Sequence, residues 1–407
     1  MTSLLSAAKR FHLATTLVLG LCITAGVTTM PPAHAEGRKL SDIERFNTVV
    51  GTQTIGAAYQ FTKDSLLVET AQAILDMGSN VLKFHMGKDY FGGRGKNVPA
   101  KVPTIGTLTD LSRDEPSHKR VLDMPFASYI IWAYCFTHGW WDRGFAQADQ
   151  DKEYRELYDF ACYLLKTYSG TGKTFYLGHW EGDWHLRRGY ETKDDTNVTP
   201  EAVQGMVDWI NTRQRAVDDA KRDTPHTDVQ VCAYLEVNLV KIAMAGRACV
   251  TNSVLPKTNV DFISYSSYDS GTDLKPALDY IASKLPPKAG IPGKRVWIGE
   301  YGFPAIAHSP EKQDELSRQV MRAGLEWGCP FVLYWEMFNN EVEKDGKQRG
   351  FWLIDDKGGK TPLYLTHQRF YQQSRRFLAD FQKTNHRLPT TDEYRKQAVQ
   401  WLGGTCG

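Results

Sequence analysis

The chain predicts an α/β fold, a single (β/α)8 barrel over residues 36–407. Three observations carry that reading. Eight short apolar segments alternate with segments of helical period, the pattern of parallel strands joined by crossover helices. No Pro- or Ser-rich linker divides the run, so one domain accounts for it. An open doubly wound sheet would need fewer strands and a Gly-rich phosphate loop after the first, and no G-x-G-x-x-G stands there.

The first strand is expected at 54–61 (TIGAAYQF), followed by an amphipathic helix over 65–78 and a second strand at 80–87 (NVLKFHMG). A Gly-rich loop from Gly87 to Pro103 and a polar segment lead to a third strand at 128–136 (SYIIWAYCF). A helix over 151–168 precedes the fourth strand, the apolar start of TFYLGHWEGDW (174–184). The next helix, 199–222, opens with Thr199 as N-cap and Pro200 at the first helical position, where its missing N–H costs nothing. VQVCAYLEVNLV (229–240) reads as a fifth strand running into a helix, and VDFISYSSYD (260–269) as the sixth, with a helix at 274–285 behind it. In RVWIGEYGFP (295–304), Arg295 to Ile298 form a short buried strand, and Gly299 and Gly302 keep the backbone compact around Glu300. A helix at 311–328 and an eighth strand in PFVLYWEMFNN (330–340) complete the units; 363–381 supplies the last barrel helix, and a tail helix near Asp392 to Leu402 packs outside.

Residues 1–35 read as a secretory signal: Lys9 and Arg10, an apolar run from Leu13 to Val27, then Ala33, His34 and Ala35 as a cleavage site. The product is expected to be secreted or periplasmic, beginning at Glu36, with no membrane association once the signal is cleaved. Losing Lys9 and Arg10 takes the 49 basic side chains to 47, level with the 47 acidic ones, and that balance argues against nucleic acid as a partner. Six cysteines remain (Cys135, Cys162, Cys232, Cys249, Cys329 and Cys406), and Cys232 with Cys249, bracketing one strand–helix unit, is the expected disulfide. No C-x-x-C or His-rich spacing suggests a metal, and no cofactor is expected. Asn197, Val198 and Thr199 form a glycosylation acceptor, relevant to a eukaryotic source. Oligomeric state is left open.

In such a barrel chemistry sits at the C-terminal ends of the strands, because those ends and their loops line one open face. The strand ends here carry His85, His138, Glu181, Glu236, Tyr265 and Tyr268, Glu300, and Trp335 with Glu336. Trp180 and Asp183 flank Glu181, and Asn238 closes the fifth strand. A carboxylate ending an apolar strand is costly to bury without partners, so two such residues, Glu181 and Glu300, point to a polar cleft. Aromatic faces that stack on pyranose C–H surfaces, polar groups for hydroxyls and paired carboxylates make up the composition of a sugar site.

A Glu ending the fourth strand and a Glu ending the seventh, with a Tyr ending the sixth and a Trp ending the eighth, resembles clan A of the glycoside hydrolases, the retaining (β/α)8 enzymes. The resemblance covers nearly the whole chain after residue 35 as a strand-by-strand layout. It implies Glu181 as acid/base, Glu300 as nucleophile, Tyr265 or Tyr268 as the Tyr bonded to the nucleophile, and Trp335 as the floor beneath the cleaved sugar. One departure counts: the clan usually places Asn directly before the acid/base, and here Trp180 stands there, which leaves Asp183 and Glu236 as competitors for the proton-transfer role. The expected activity is hydrolysis of a β-linked oligo- or polysaccharide by double displacement. Two alternatives stay open, a transglycosylase on the same fold and a catalytically silent carbohydrate-binding barrel.

Overall fold

The computed structural model describes residues 38–90, 101–137 and 139–403. The expected signal segment, most of the loop between Gly87 and Pro103, His138 and Cys406 lie outside them. Eight parallel strands close into a barrel in chain order: β1 Val50–Thr54, β2 Val81–Met86, β3 Ser128–Ala133, β4 Thr174–Gly178, β5 Gln230–Val237, β6 Phe262–Ser266, β7 Val296–Tyr301 and β8 Val332–Tyr334, with β8 pairing back to β1.

Six of the eight strands fall inside the segments expected to hold them, and β7 starts within Arg295 to Ile298 but runs on to Tyr301. β1 misses its segment: it ends where the expected strand begins. Gly56, at φ +88°, turns the chain out of the extended conformation, so TIGAAYQF cannot continue as a strand. The polar segment before β3 also contains two unexpected helices, Leu108–Asp114 and Pro116–Asp123, each with a side-chain cap, from Thr107 and Glu115 respectively. Elsewhere the capping residues act as the sequence suggests: Ser65 and Gly78 bound the helix Leu66–Met77, and Thr199 and Pro200 open Pro200–Asp223.

Period-2 alternation along the strands sorts the buried side chains into two sets. One set faces the helices and forms the large sheet–helix layer, for example Leu82, Phe84, Ile131, Leu177, Leu235, Ile263 and Ile298. The other faces the barrel axis, where Val81, Ile130, Tyr234, Trp297, Phe331 and Leu333 fill the lumen as a separate apolar cluster. Tyr265 belongs to the first set.

The expected disulfide is corrected here: Cys232 and Cys249 are both free thiols, as are Cys135, Cys162 and Cys329. Cys232 is the third residue of β5, whereas Cys249 packs by Arg187 near the C-terminal end of that strand, five residues on. At about 3.3 Å per strand residue the two are separated by more than a bridge can span.

Candidate active site

β7 aims Glu300 by means of a bulge. The β6–β7 register jumps from Tyr265↔Ile298 to Ser266↔Glu300, so Gly299 is the extra residue. Strict alternation would send Glu300 outward with Ile298; the bulge returns it to the axis, and Tyr301 resumes the outward direction. Only glycine fits at 299, because a Cβ there would lie 1.8 Å from Ser264 Oγ.

Glu300 meets Lys83, the inward-facing third residue of β2, which the sequence reading did not single out. Lys83 Nζ donates to Glu300 Oε1 at 2.9 Å, to Glu236 Oε2 at 3.1 Å and to the Gly299 carbonyl at 3.1 Å, and it sits 4.4 Å from the centroid of the Trp132 ring. Both carboxylates and the ammonium are buried. An isolated ammonium there would lose its charge to desolvation. Burial does pull the Lys83 pKa down, but Glu236 and Glu300 outweigh it and the balance is upward. Tyr268 O–H donates to the other oxygen of Glu300 at 3.4 Å. Burial pushes the Glu300 carboxyl up to about 7 while Lys83 works against that rise.

Glu181 lies three residues beyond β4, at the N-cap position of the short helix Gly182–Arg187. Its backbone N–H donates to Glu236 Oε1 at 3.0 Å, and Trp184 Nε1 donates to its carboxylate. Burial, then the charges of Glu300 and Glu236, drive its pKa well above the usual carboxylate range. No cation contacts it directly among the described residues. The two carboxyls therefore differ in kind: Glu300 is held by an ammonium and a phenol, whereas burial and two neighbouring carboxylates favour the protonated form of Glu181.

Both open onto one cleft of about 520 Å³, lined also by Trp132, Trp180, Tyr268 and Trp335. Ile55, Phe351 and the Glu341–Arg349 ion pair close its rim, and Trp335 Nε1 donates to Glu341 Oε1 at 3.0 Å.

The remaining expected residues take other places. Glu236 is fully buried, with Oε1 engaged by the Glu181 N–H and Oε2 by Lys83 and by Ser264 Oγ at 2.6 Å. It spaces the pair and does not line the cleft. Asp183 is likewise a clamp: Oδ2 accepts from the N–H groups of Asn238 and Leu239, and Oδ1 from that of Val250. Asn238 returns the bond by accepting the Asp183 N–H at 3.1 Å, so these two residues tie the Glu181 loop to β5 and do not face a ligand. Tyr265 is corrected: its O–H reaches Asp269 and Ser270 inside the sheet–helix layer, away from Glu300. His85, at the end of β2, sits against the Tyr134 ring and 3.5 Å from Asp89, beside the cleft but not in its lining. Glu336 is buried, held by the N–H groups of Ile55 and Asn340. His138 lies outside the described residues.

No protein-family model matches the chain, and no characterised protein matches it in sequence. Solved structures do match it in fold. A GH5_18 protein from Bifidobacterium longum subsp. infantis aligns over 80% of this chain and 79% of its own at a TM-score of 0.50 and 13% identity. A GH5_18 protein from Streptomyces cattleya in complex with GlcNAc aligns over 80% of this chain and 81% of its own at 0.51 and 12%. The chain thus shares the barrel fold of clan A glycoside hydrolases, in keeping with the layout of its strand ends.

Proposed function

We propose that this barrel is a glycoside hydrolase acting on a β-linked oligo- or polysaccharide with retention of anomeric configuration. The observation that carries the reading is the placement of Glu181 and Glu300 in one aromatic cleft in opposed electrostatic settings. In the first step Glu300, ionised beside Lys83 and Tyr268, attacks the anomeric carbon while Glu181 passes its proton to the departing oxygen. The glycosyl–Glu300 ester then yields to water, from which Glu181, now a carboxylate, removes the proton. Net consumption is one water and one glycosidic bond, and neither step calls for a metal or cofactor. Trp335 supplies the apolar floor for the sugar that becomes attached, and the Trp132 ring beneath Lys83 adds to the low-dielectric surroundings.

The fold neighbours are described as glycoside hydrolase family members, and GlcNAc is the ligand named for the Streptomyces cattleya structure. A substrate panel should therefore include β-glucosides, β-mannosides, β-xylosides and GlcNAc-containing disaccharides, scored for released reducing ends. Sugar binding with no release would favour the silent barrel, and turnover without net hydrolysis the transglycosylase.

The roles separate by kinetics. Glu300→Ala abolishes turnover, and formate restores it by standing in for the lost carboxylate. Glu181→Ala loses about 10²–10⁴-fold on natural sugars but spares aryl glycosides whose leaving groups need little protonation. Wild-type rates on a natural sugar in Glu181→Ala, together with loss in Glu236→Ala, would move the proton transfer to β5. Export of the chain from Glu36 onward belongs to the same proposal and rests on the charged, apolar and A-x-A segments of residues 1–35.

A further inference from the structure

Beside the cleft, on the β4 side, lies a second hollow of about 560 Å³ lined by the aromatic rings of Trp140, Trp180, Trp184 and Tyr190 together with Asp142, Arg143, His185 and Arg188. Trp140 and Tyr190 are 63% and 72% exposed, among the largest apolar surfaces that the described residues leave to water. Scattered exposed apolar residues need no explanation, but aromatics gathered around one hollow do. The rings do not cover one another. Trp180 and Tyr190 meet at 59° with centroids 6.1 Å apart, and Trp184 and Tyr190 at 60° and 5.5 Å, so they form a corner and not a stack. Polar groups stand at the edge: Asp142 and Arg188 are paired at 2.9 Å, and His185 is hydrogen-bonded to Tyr134. Aromatic faces for C–H surfaces with carboxylate, guanidinium and imidazole groups at their margin suit a pyranose ring, whose apolar faces are bordered by hydroxyls.

Position gives the hollow its role. Trp180 lines both it and the catalytic cleft, so the two adjoin across that ring. Trp184, on its wall, donates to the Glu181 carboxylate. Glu181 hands its proton to the oxygen that leaves, and the hollow adjoins Glu181 through Trp184 while its lining includes neither Glu300 nor Tyr268, which assigns it to the leaving group.

We propose that this aromatic shelf binds sugar units on the leaving-group side of the scissile bond, so that the substrate is a glycan chain and not a glycoside of a small alcohol. The inference rests on the glycosidase reading for the direction of the chain, and on the shelf itself for the binding. Its test uses the full protein with ladders of β-1,4-linked gluco-, manno- and xylo-oligosaccharides of two to six units beside the matching aryl monoglycosides. Trp140→Ala and Tyr190→Ala are chosen because both side chains are exposed, and thermal unfolding checks that each variant is folded. Each variant should lower the ratio of kcat/KM on the longer chain to kcat/KM on the aryl glycoside by roughly fivefold to tenfold, the scale of one aromatic contact. Affinity for the same ladders, followed by intrinsic tryptophan fluorescence, is read in parallel. Tighter binding of tetra- than of disaccharide, erased by both variants in a protein that releases no reducing ends, would uphold the shelf while the hydrolytic reading fell. A chain-to-aryl ratio within twofold of wild type in both variants, or wild-type rates and affinities that ignore chain length, would overturn the shelf.

Discussion

Lys83 decides how the candidate site is read at the scale of single residues. A lysine in NVLKFHMG looks like a break in an apolar strand, but it shares inward parity with Val81 and His85, and the site needs a cation at that point. Without it Glu236 and Glu300 would be two carboxylates buried within reach of one ammonium-sized space, and leaving such charges uncompensated costs about 3–5 kcal/mol. Glu300 and Glu181 were legible because a carboxylate closing an apolar strand has few innocent explanations. Lys83 and Ser264 were not, because what fixes their roles is the partner across the lumen, and partners there come from strands far apart in sequence. The same limit applies to Asp183 and Asn238, whose residue types suit a ligand as well as they suit the backbone clamp they form. Lys83→Met follows directly. The ammonium holds the Glu300 pKa down, so its loss raises that pKa, and the acidic limb of the kcat/KM profile, which requires ionised Glu300, moves to higher pH. Lys83→Arg, which keeps a cation, should leave the limb closer to wild type. A limb that stays put in Lys83→Met would remove Lys83 from the account.

At the scale of elements, the strand that carries Glu300, the proposed nucleophile, depends on one irregularity. The bulge at Gly299 is what converts an outward position into an axial one, and Ser264 stands against it so closely that no side chain fits. Gly299→Ala should lower the unfolding free energy obtained from denaturant titration by about 1–3 kcal/mol, the usual cost of overpacking a buried contact, and so lower the midpoint. Adding Ser264→Gly, which removes the atoms that the new methyl meets, should recover part of the loss, since contacting sites do not add. A wild-type midpoint in the single variant would mean that the crowding is absent. The bulge also explains why Arg295 to Ile298 looked like the whole strand: the glycine reads as a stop when it is an insertion within a strand reaching Tyr301. Three other elements eluded the sequence for related reasons. β1 is built from Val, Gly, Thr and Gln, with little of the hydrophobic signal that marks the other strands, and the apolar letters that follow it belong to a turn. The helices Leu108–Asp114 and Pro116–Asp123 are short and polar, but Thr107 with Asp110 and Glu115 with Pro116 are start signals that could have placed them.

For the whole molecule, repetition made the barrel legible: eight apolar segments with helices between them leave few alternatives once a phosphate loop is missing. Repetition does not reveal what fills the lumen. There the apolar floor of Val81, Ile130, Trp297, Phe331 and Leu333 gives way to the polar layer of Lys83, Glu236 and Ser264, above which the cleft opens. Charge balance after residue 35 and the three indoles that line the cleft are consistent with the proposed glycan substrate. If the proposed export is right, N-terminal sequencing of secreted or periplasmic material begins at Glu36, and a start upstream of residue 30 would count against it. The central claim is that Glu181 and Glu300 act as a retaining pair, which fixes the stereochemistry of the product before mutarotation blurs it. Proton NMR of the first sugar released from a β-glycoside substrate tests this most directly: the account predicts that the β-anomer appears first and the α-anomer only later, and an α-anomer formed first would contradict it.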